Sequence, residues 1–402
     1  MTARILFVDD ETEVLEGLKV RLRQKRQQWK MTFACGPKEA MAALEKEPFN
    51  IVVSDLRMPE MDGAELMQHV RTTYPSTSRV MLSGHGEERL VLRAMACSHE
   101  FLPKPSPPGV LEGTLERILA LQALTQDEAV KTAVGRIGAL PTQPTVYQAL
   151  MDALNAQRTP EAVAKILLSD AALCAQLLHI VNSAYFRLAR PIVKVEEAVL
   201  YLGLGTVRQL VLVAEVFQDA DARAMDTTSI RALQEHSLLT ASIASSLLTG
   251  YSRKDLAFIA ALLHDLGKLV IATQLPDRAK AIAERMAREN ESMHESEMSL
   301  FGTTHAEIGA YIMGLWQLPL PIVEAVANHH HPSRLKPVEL DMLVAVHVAD
   351  FLAHEQHALI RGEAASSAKL DTSLLERLGL DGNLNEWRAV ARAHAEKSIS
   401  GV

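Results

Sequence analysis

The chain has 402 residues, of which 48% are hydrophobic and 22% charged, and its formal net charge at pH 7 is −8. These values exclude a disordered chain and argue against a large nucleic-acid-binding surface, which needs a basic face. The length is sufficient for two or three domains.

The three cysteines form no CxxC pair, which is typical of proteins from a reducing compartment. Residues 1–4 lead directly into an apolar run, so we expect no signal peptide. We also expect no apolar stretch to reach the roughly 20 residues that span a bilayer. The sequence therefore predicts a cytoplasmic protein that binds neither membranes nor nucleic acid.

The first 105 residues alternate short β-branched runs with amphipathic helical patterns. Such alternation predicts a doubly wound parallel sheet of five strands with helices on both faces. Strands are expected over 4–8, 31–35, 50–55, 78–83 and 100–102, and helices near 12–28, 37–47, 63–74 and 87–96.

Acidic residues stand at the ends of two predicted strands. Asp9 and Asp10 end the first strand, and Asp55 ends the third. Because neighbouring parallel strands end at one edge of the sheet, these carboxylates should converge there and bind Mg²⁺. Ser83 ends the fourth strand and Lys104 follows the fifth, so a hydroxyl and an ammonium would face the same pocket. This combination is suited to a phosphoryl group on a carboxylate.

Residues 3–122 resemble the response-regulator receiver family, through FVDDE, SDLRMPEMDG and FLPKP. The resemblance implies a flavodoxin-like fold in which a histidine kinase phosphorylates Asp55. It further implies that Ser83 and Phe101 move toward the phosphoryl group, and that Lys104 contacts it and precedes a cis proline. The implied Mg²⁺ ligands are Asp10, Asp55 and the backbone carbonyl of Arg57, with Asp9 acting through water.

Residues 110–134 follow helical spacing without an evident break, which predicts one long helix. It could be an ordinary helix that covers the sheet. Its extension past Leu121 favours a signalling helix that leads out of the domain and pairs with a second copy. We therefore divide the chain into a receiver domain at 1–122, a linker helix over 110–136 and a carboxy-terminal domain at 137–402.

From residue 137 to 398 the pattern is helical throughout, and histidines recur at expected helix ends and inner faces. Imidazole and carboxylate groups in such positions suit Zn²⁺, Mn²⁺ or Fe²⁺. Each has a simpler interpretation: a lone histidine is often a hydrogen-bonded core residue, and in HDLGK the glycine Gly267 could form a left-handed helix cap. The candidate ligands are His236, His264, Asp265, His305, His329, His330 and Asp350.

The order of these residues resembles the HD phosphohydrolase superfamily, and the closer resemblance is to the HD-related output domain, HDOD, over about residues 137–360. It rests on stretches such as ILLSDAALCAQLLHIVNSAYF, AVLYLGLGTVRQLVL and ALLHDLGK. The resemblance implies an all-α regulatory domain that binds a downstream signalling protein and is not an enzyme. It makes Asn182, Tyr185, Trp316 and Pro319 fold determinants.

The histidines also match the ligand positions of HD-GYP cyclic di-GMP phosphodiesterases. That family has HHE and a Gly-Tyr-Pro turn where this chain reads HHHPSRLKP. The alternative function is therefore a receiver-gated, metal-dependent phosphohydrolase or phosphodiesterase, in which Lys268 would contact phosphate. A third alternative is a metal-free domain that senses a nucleotide.

The leading hypothesis is a two-component response regulator with a sensor histidine kinase as its partner. A homodimer is expected through the linker helix, or through the face formed by the helix near 87–96, the last strand and the helix after it. The tail from about 372 should form two short helices on the bundle.

Overall fold

A computed structural model describes residues 2–84, 94, 97–125, 127–137, 140, 142, 144–183, 186, 188, 190–216, 227–251, 253–362 and 368–400. Apart from residue 94, the helix expected near 87–96 lies outside the described residues, as does the candidate fold determinant Tyr185; the dimer face that includes this helix is therefore not described.

The amino-terminal region is the predicted five-stranded parallel sheet, with strand order β2-β1-β3-β4-β5. β1 and β3 are neighbours, and Val8 pairs with Ser54, so Asp9 and Asp55 follow this pair at the same edge. β3 is buried along its whole length, as expected for a central strand covered on both faces. The strands are Ala3–Asp9 (β1), Trp29–Cys35 (β2), Ile51–Asp55 (β3), Ser78–Ser83 (β4) and Glu100–Pro103 (β5).

Three helices connect the first four strands, namely Thr12–Arg21 (α1), Pro37–Lys46 (α2) and Gly63–Thr73 (α3). The predicted helix over 12–28 is shorter than expected. It ends at Arg21 and continues as one 3₁₀ turn, Arg23–Lys25, because the chain turns there to bring Trp29 to the start of β2. Leu22, at the end of α1, is fully buried and anchors this turn.

The prediction of one long helix over 110–134 is wrong. The segment forms two helices, Val110–Leu124 (α4) and Glu128–Arg136 (α5). Thr125 adopts an extended conformation, and the side chain of Asp127 caps α5 by accepting hydrogen bonds from the backbone N–H groups of Ala129 and Val130. An N-cap of this kind starts a new helix even where the apolar spacing continues.

α5 packs between the sheet region and the rest of the chain, so the linker does not project into solvent. Arg71 of α3 donates a hydrogen bond to the carbonyl of Arg136 at 2.8 Å, and Arg79 of β4 donates one to the carbonyl of Gly135, also at 2.8 Å. A Cβ atom at position 135 would lie 1.6 Å from the carbonyl oxygen of Pro75. Glycine is therefore required at this close approach.

In the rest of the described chain the regular elements are helices, as predicted. The long helix α9 is bent at Gly203, where φ is +75°. Two 3₁₀ turns, Pro332–Leu335 and Asp381–Asn383, lie between helices of the described part of this region. The helices are Pro144–Asn155 (α6), Pro160–Leu167 (α7), Ala171–Asn182 (α8), Val195–Val216 (α9), Thr227–Leu247 (α10), Lys254–Leu263 (α11), Leu266–Gln274 (α12), Pro276–Glu289 (α13), Met293–Phe301 (α14), His305–Leu315 (α15), Leu320–Asn328 (α16), Met342–Arg361 (α17), Thr372–Leu378 (α18) and Leu384–Ser400 (α19).

The core of the helical region lies among α10, α11 and α17, and α19 of the tail packs on α10 and α17. Among the described residues the stretch Lys254–Gln274, which spans α11 and α12, is long and apolar enough to cross a membrane, contrary to our expectation. Its residues are mostly buried inside the protein. In this structure the stretch is therefore part of the core of the helical region.

Two of the expected fold determinants have structural partners. The side chain of Asn182 accepts a hydrogen bond from the backbone N–H of Ile192 and donates to its carbonyl oxygen, each at 2.7 Å. Trp316 is buried and stacks on His179, with ring centroids 5.2 Å apart. These contacts hold connections between helices in place.

Candidate functional site

The carboxylates of Asp9, Asp10 and Asp55 converge at the carboxyl edge of the sheet. Their oxygens lie within 4.8 Å of one another, a spacing that one cation can bridge. Asp9 and Asp55 are buried, whereas Asp10 is exposed to solvent. This is the acidic pocket expected from the sequence, and its oxygen donors fit Mg²⁺.

Lys104 is inserted into the same pocket. Its Nζ atom lies 2.7 Å from Asp9 Oδ2 and also forms an ion pair with Asp55 Oδ1. The peptide bond between Lys104 and Pro105 is cis, as the sequence predicted. Burial raises the pKa of Asp55, and the negative charge of Asp9 adds to this effect, while Lys104 opposes it. Lys104 therefore stabilises the ionised form of Asp55.

Three other predicted residues lie around this pocket. Ser83 is buried at the end of β4, and its carbonyl oxygen accepts a hydrogen bond from the backbone N–H of Lys104. The backbone N–H of Arg57 donates to Asp55 Oδ2 at 3.1 Å. Phe101, on β5, is buried. The structure thus places a hydroxyl on β4, the strand next to Asp55, and an aromatic side chain on β5, the strand after it.

The predicted histidine and aspartate ligands of the helical region come together in a second site. His236 lies on α10, His264 and Asp265 join α11 to α12, and His305 is the first residue of α15. The others follow or lie within later helices: His329 and His330 after α16, and Asp350 in α17. We call these seven residues the histidine cluster. Most of its members are buried, so their polar atoms face one another and not solvent.

Asp265 lies at the centre of the histidine cluster. Its Oδ2 atom is 3.3 Å from His264 Nε2 and 3.7 Å from His236 Nε2. Its Oδ1 atom faces the other way and is 3.4 Å from His305 Nε2. The ligand atoms of His305, His329 and His330 lie within 4.8 Å of one another on that second side.

The close packing at Asp265 depends on Gly267, which lies within α12 and is not a left-handed cap. A Cβ atom at this position would lie 2.0 Å from the carbonyl oxygen of His305 and 2.8 Å from its carbonyl carbon. The capping interpretation of HDLGK is therefore wrong. Glycine is needed because the backbones of α12 and α15 meet there, which brings Asp265 and His305 together.

Three histidines direct Nδ1 to a hydrogen-bond acceptor outside the cluster's ligand set. The Nδ1–H groups of His264 and His329 donate to the carbonyls of Ala261 at 2.6 Å and Val326 at 2.7 Å. His305 Nδ1 lies 2.7 Å from Glu297 Oε2. In the neutral form of each ring, a hydrogen bond of this kind places the proton on Nδ1 and leaves Nε2 as the potential ligand atom.

Several atoms of the histidine cluster are buried without a hydrogen-bond partner among the described residues. They are His264 Nε2, His329 Nε2 and Asp265 Oδ1. An unpartnered polar atom in the interior costs on the order of 1–3 kcal/mol. These atoms lie on both sides of Asp265, where bound cations could partner them, and the nitrogen-rich donor set suits Zn²⁺, Mn²⁺ or Fe²⁺.

The electrostatics of the cluster are asymmetric. Burial lowers the pKa of His264, but the carboxylates of Asp265 and Asp350 outweigh it and raise that pKa to about 10. On the other side, burial and the neighbouring imidazoles lower the pKa of His329 and His330. Positive charge is thus favoured beside the two aspartates.

Lys268, which was expected to contact phosphate, has a different partner in this structure. Its Nζ atom donates to Asp265 Oδ2 at 2.6 Å, and its side chain is largely buried. A phosphate ligand would therefore share this ammonium with Asp265.

The sequence analysis missed three residues that adjoin the histidine cluster. Glu297 is fully buried and accepts a hydrogen bond from the backbone N–H of His305, in addition to its contact with the imidazole. His294 Nε2 lies 3.0 Å from His331 Nε2. His354 Nε2 lies 3.4 Å from Asp350 Oδ1. For His354 a signal was available, because it follows Asp350 by four residues on one helix face.

The two regions meet at a polar junction centred on Glu100. The carboxylate of Glu100 is buried, lies 2.7 Å from Arg117 of α4, and accepts a hydrogen bond from Gln317 Nε2. Arg117 also donates to the carbonyl of Gly314, near the end of α15. Burial raises the pKa of Glu100 to about 7, although Arg117 opposes this shift.

Comparison with known families matches residues 5–116 to the response regulator receiver domain and residues 140–332 to the HDOD domain. An uncharacterised protein of Treponema pallidum is 26% identical over 226 residues, covering 53% of this chain and 43% of that protein. Response regulator protein PilR of Pseudomonas aeruginosa is 30% identical over 127 residues, covering 31% of this chain and 28% of that protein.

The chain thus spans less than half the length of each of these two curated relatives. Among solved structures, the MmoQ response regulator of Methylococcus capsulatus has a TM-score of 0.48 and 24% identity, covering 62% of this chain and 98% of that one. The two matched domains follow one another along the chain and coincide with the two regions described above. The protein is a response regulator with an amino-terminal receiver domain and a carboxy-terminal HDOD domain.

Proposed function

We propose that a sensor histidine kinase phosphorylates Asp55 in the cytoplasm, and that the phosphorylation state controls how the HDOD domain binds a downstream protein. Asp55 would be the acceptor, because its carboxylate faces the pocket in which Asp10 and Lys104 supply a metal ligand and a cation. Mg²⁺ held by Asp10, Asp55 and the carbonyl of Arg57, with Asp9 acting through water, would neutralise charge on the phosphoryl group.

The protein's own side chains would carry the local response. Lys104 is paired with both Asp9 and Asp55. A phosphoryl group on Asp55 would place new anionic oxygens next to this ammonium and next to the hydroxyl of Ser83, which can donate to one of them. Both side chains adjoin β5, so a change in their positions acts directly on the strand that bears Phe101.

The proposed control of the HDOD domain by the receiver domain rests on one observation, the junction at Glu100. Glu100 precedes Phe101 on β5, and its carboxylate bonds to Gln317 of the HDOD domain. Because Glu100 is buried, its carboxylate cannot exchange Gln317 for water without opening the junction. Movement of β5 is therefore opposed by, or transmitted to, the end of α15.

α15 links this junction to the histidine cluster. His305 begins the helix, and Gly314, which accepts a hydrogen bond from Arg117, lies near its end. With 11 residues, α15 extends about 16 Å at about 1.5 Å per residue. A displacement at Gly314 would be felt at His305, because a hydrogen-bonded helix moves largely as one unit. This is a two-site arrangement in which the receiver domain contacts one end of α15 and the histidine cluster lies at the other.

A second inter-domain contact restrains α5 next to this junction. Asp127 accepts two hydrogen bonds from Arg278 of α13, at 2.5 and 3.0 Å. The guanidinium of Arg278 also lies over the ring of Phe301, 4.6 Å from its centroid. The receiver domain is thus held to the HDOD domain through both α4 and α5.

The proposal is tested by labelling and by hydrogen exchange. Acetyl phosphate with Mg²⁺ should add one phosphoryl group to the wild type and to Asp152→Asn, an exposed control, but not to Asp55→Asn. Beryllium fluoride should change amide exchange in residues 305–315 of the wild type but not in the same residues of Asp55→Asn. Undiminished labelling of Asp55→Asn removes Asp55 as the acceptor, and unchanged exchange in 305–315 removes α15 as the route of control.

A metal-dependent phosphohydrolase is the second candidate function, and the unpartnered buried atoms of the histidine cluster favour it. His236, His264, Asp265 and Asp350 would hold one metal, and His305 with His329 or His330 a second. A metal bound there would supply a water-derived nucleophile near neutral pH. Glu297 would keep the proton of His305 on Nδ1, and Lys268 would hold Asp265 in place.

Metal content and turnover of a generic phosphodiester, bis-p-nitrophenyl phosphate, separate the two candidates. Turnover that is present in the wild type and in His394→Ala, but lost in the double variant His264→Ala/Asp265→Ala, would establish the hydrolase. Absence of turnover in metal-loaded wild type would leave regulation by protein contact.

A further inference from the structure

A cavity with a volume of about 770 Å³ lies between the linker segment and the HDOD domain. One wall is formed by α4, α5 and the residues that join them, and the other by α13 to α16. Among the described residues that line it, none belongs to the histidine cluster or to the acidic pocket of the receiver domain. Binding sites for small molecules typically have volumes of roughly 300–1,000 Å³ and often lie between domains. The cavity is therefore a candidate site separate from the two described above.

The walls of this cavity are mainly apolar. Tyr311 is 7% exposed, whereas Leu320 is 66% exposed, so the cavity leads from a buried floor to a rim in solvent. The other apolar lining residues include Leu121, Val130 and Val323. Because the removal of apolar surface from water is favourable, the cavity suits a ligand with an apolar body.

Four charged side chains line the cavity, and two of them neutralise each other. Arg278 donates hydrogen bonds to both carboxylate oxygens of Asp127, so its charge is already paired. Glu307 and Glu324 remain, on the adjoining helices α15 and α16. Neither forms an ion pair with a residue of the described chain. Glu307 accepts a hydrogen bond from the backbone N–H of Thr304 at 3.0 Å, and Glu324 is exposed.

The two walls of the cavity are held together beside it. The guanidinium of Arg278, on α13, bonds to Asp127 of the linker and lies 4.6 Å from the ring centroid of Phe301. On α15, a Cβ atom at position 314 would lie 2.8 Å from a methyl carbon of Leu121, so α4 and α15 are in close contact. A cavity that exists before the ligand arrives binds it without the cost of ordering the walls.

We infer that this cavity binds a small molecule that combines an apolar body with a protonated amine. The apolar body would contact Val130, Leu320 and Val323, and the ammonium group would donate hydrogen bonds to Glu307 or Glu324. An anionic ligand would face the same two carboxylates, whereas the nearby guanidinium is already paired. The inference rests neither on phosphorylation of the receiver domain nor on a metal in the histidine cluster.

The test compares three probes that share a naphthyl ring and differ in charge. Naphthylethylamine is cationic, naphthylacetate is anionic and naphthylethanol is neutral. Each is titrated into the full-length protein, and binding is measured by isothermal titration calorimetry.

Two variants alter the cavity, and two matched variants leave it unchanged. Ala327→Phe fills the cavity from α16, and Glu324→Lys reverses one of its charges. The controls are Ala393→Phe and Glu376→Lys, since Ala393 on α19 and Glu376 on α18 are exposed residues outside the lining. Circular dichroism is recorded for every variant to compare its fold with that of the wild type.

We expect the wild type and both controls to bind one naphthylethylamine per chain. Naphthylacetate should bind roughly 10–100-fold more weakly, the factor that corresponds to one hydrogen bond to a charged group. Ala327→Phe should lose the binding of naphthylethylamine. Glu324→Lys, at an exposed position that tolerates substitution, should weaken naphthylethylamine while leaving naphthylethanol unchanged.

Three results would overturn the inference. The first is a wild type that binds no naphthylethylamine. The second is the same affinity for naphthylethylamine in the cavity variants as in their controls. The third is an affinity for naphthylacetate that equals or exceeds that for naphthylethylamine, because the carboxylates would then have no part in recognition.

Discussion

Glu100 and Gln317 are 217 positions apart in the sequence, yet the carboxylate of Glu100 accepts a hydrogen bond from the side-chain amide of Gln317. The two residues belong to the receiver and HDOD domains, and their contact is shielded from solvent on the Glu100 side. Because the buried carboxylate of Glu100 has partners in both domains, substitution of Glu100 or of Gln317 should weaken the contact between the domains.

Gln317→Ala should loosen this docking. The substitution removes one hydrogen bond to a buried charged group, which contributes about 1.5–3 kcal/mol. We expect faster amide exchange in residues 305–315 and a lower thermal midpoint. Gln209→Ala, an exposed glutamine on α9, serves as the control and should behave like the wild type. Equal exchange in all three proteins would contradict a role for Gln317 in docking.

Stability should depend on pH through Glu100. Burial raises the pKa of Glu100 in the folded protein to about 7, against an unperturbed value of 4.5. The folded state therefore binds the proton more tightly, so this contribution to stability is complete below about pH 4.5 and is lost as pH rises to about 7. Its full size is at most about 3 kcal/mol.

Glu100→Gln should remove this dependence. Between pH 5 and pH 8 the urea midpoint of the variant should rise relative to that of the wild type, because only the wild type acquires a buried negative charge. Glu116→Gln provides the control. Glu116 is exposed, pairs with Lys25, and lies next to Arg117 on α4. A constant difference between Glu100→Gln and wild type across this range would show that Glu100 does not titrate there.

Gly267→Ala should separate α12 from α15. The added Cβ would lie 2.0 Å from the carbonyl oxygen of His305, and backbone atoms cannot give way as a flexible side chain can. Overpacking of this kind typically costs about 1–3 kcal/mol. The thermal midpoint should fall, and Co²⁺ binding should weaken because His305 is displaced from Asp265.

Gly113→Ala is the matched control for that prediction. Gly113 lies within α4, and a Cβ there would meet no atom within 4 Å. Since alanine is favoured over glycine in a helix by about 0.5–1 kcal/mol, this variant should be slightly more stable than wild type. If Gly267→Ala were as stable as Gly113→Ala, the close contact of α12 and α15 would be excluded.

Glu297→Gln should weaken metal binding without unfolding the protein. The amide oxygen can still accept a hydrogen bond from His305, but the negative charge that strengthens the imidazole as a ligand is lost. Substitution of such supporting groups typically lowers metal affinity about 10–100-fold. Titration with Co²⁺ gives the affinity, and Glu284→Gln, an exposed glutamate on α13, is the reference. Unchanged affinity would show that Glu297 has no part in tuning His305.

Local patterns in the sequence were sufficient to predict the receiver sheet and its acidic pocket. β3 is an unbroken buried run that ends in Asp55, and strand ends in a parallel sheet share one edge, so the position of Asp55 follows from the order of strands. The prediction of the histidine cluster depended on the family resemblance, since no local spacing relates His236 to Asp350. Their 3.0 Å contact is produced by the packing of α10 on α17.

The errors arose where one residue has a role that only tertiary structure defines. Asp127 begins a new helix within a continuous apolar pattern because its side chain caps α5 and also binds Arg278. The sequence context of Gly267 resembles that of a helix cap, but glycine is needed there because the backbone of His305 leaves no room for a Cβ atom. Glu297 and His354 were missed because neither belongs to the family's ligand positions, although each is within eight residues of its partner, His305 or Asp350.

The dual role of Asp127 has a consequence for anyone who divides this protein into fragments. A receiver fragment that ends at residue 122 lacks α5, and Arg71 and Arg79 lose their carbonyl acceptors at Arg136 and Gly135. An HDOD fragment that starts at residue 137 leaves Arg278 without its carboxylate. The segment between the domains therefore belongs to both of them, and either fragment expressed alone exposes charged groups that the intact chain keeps paired.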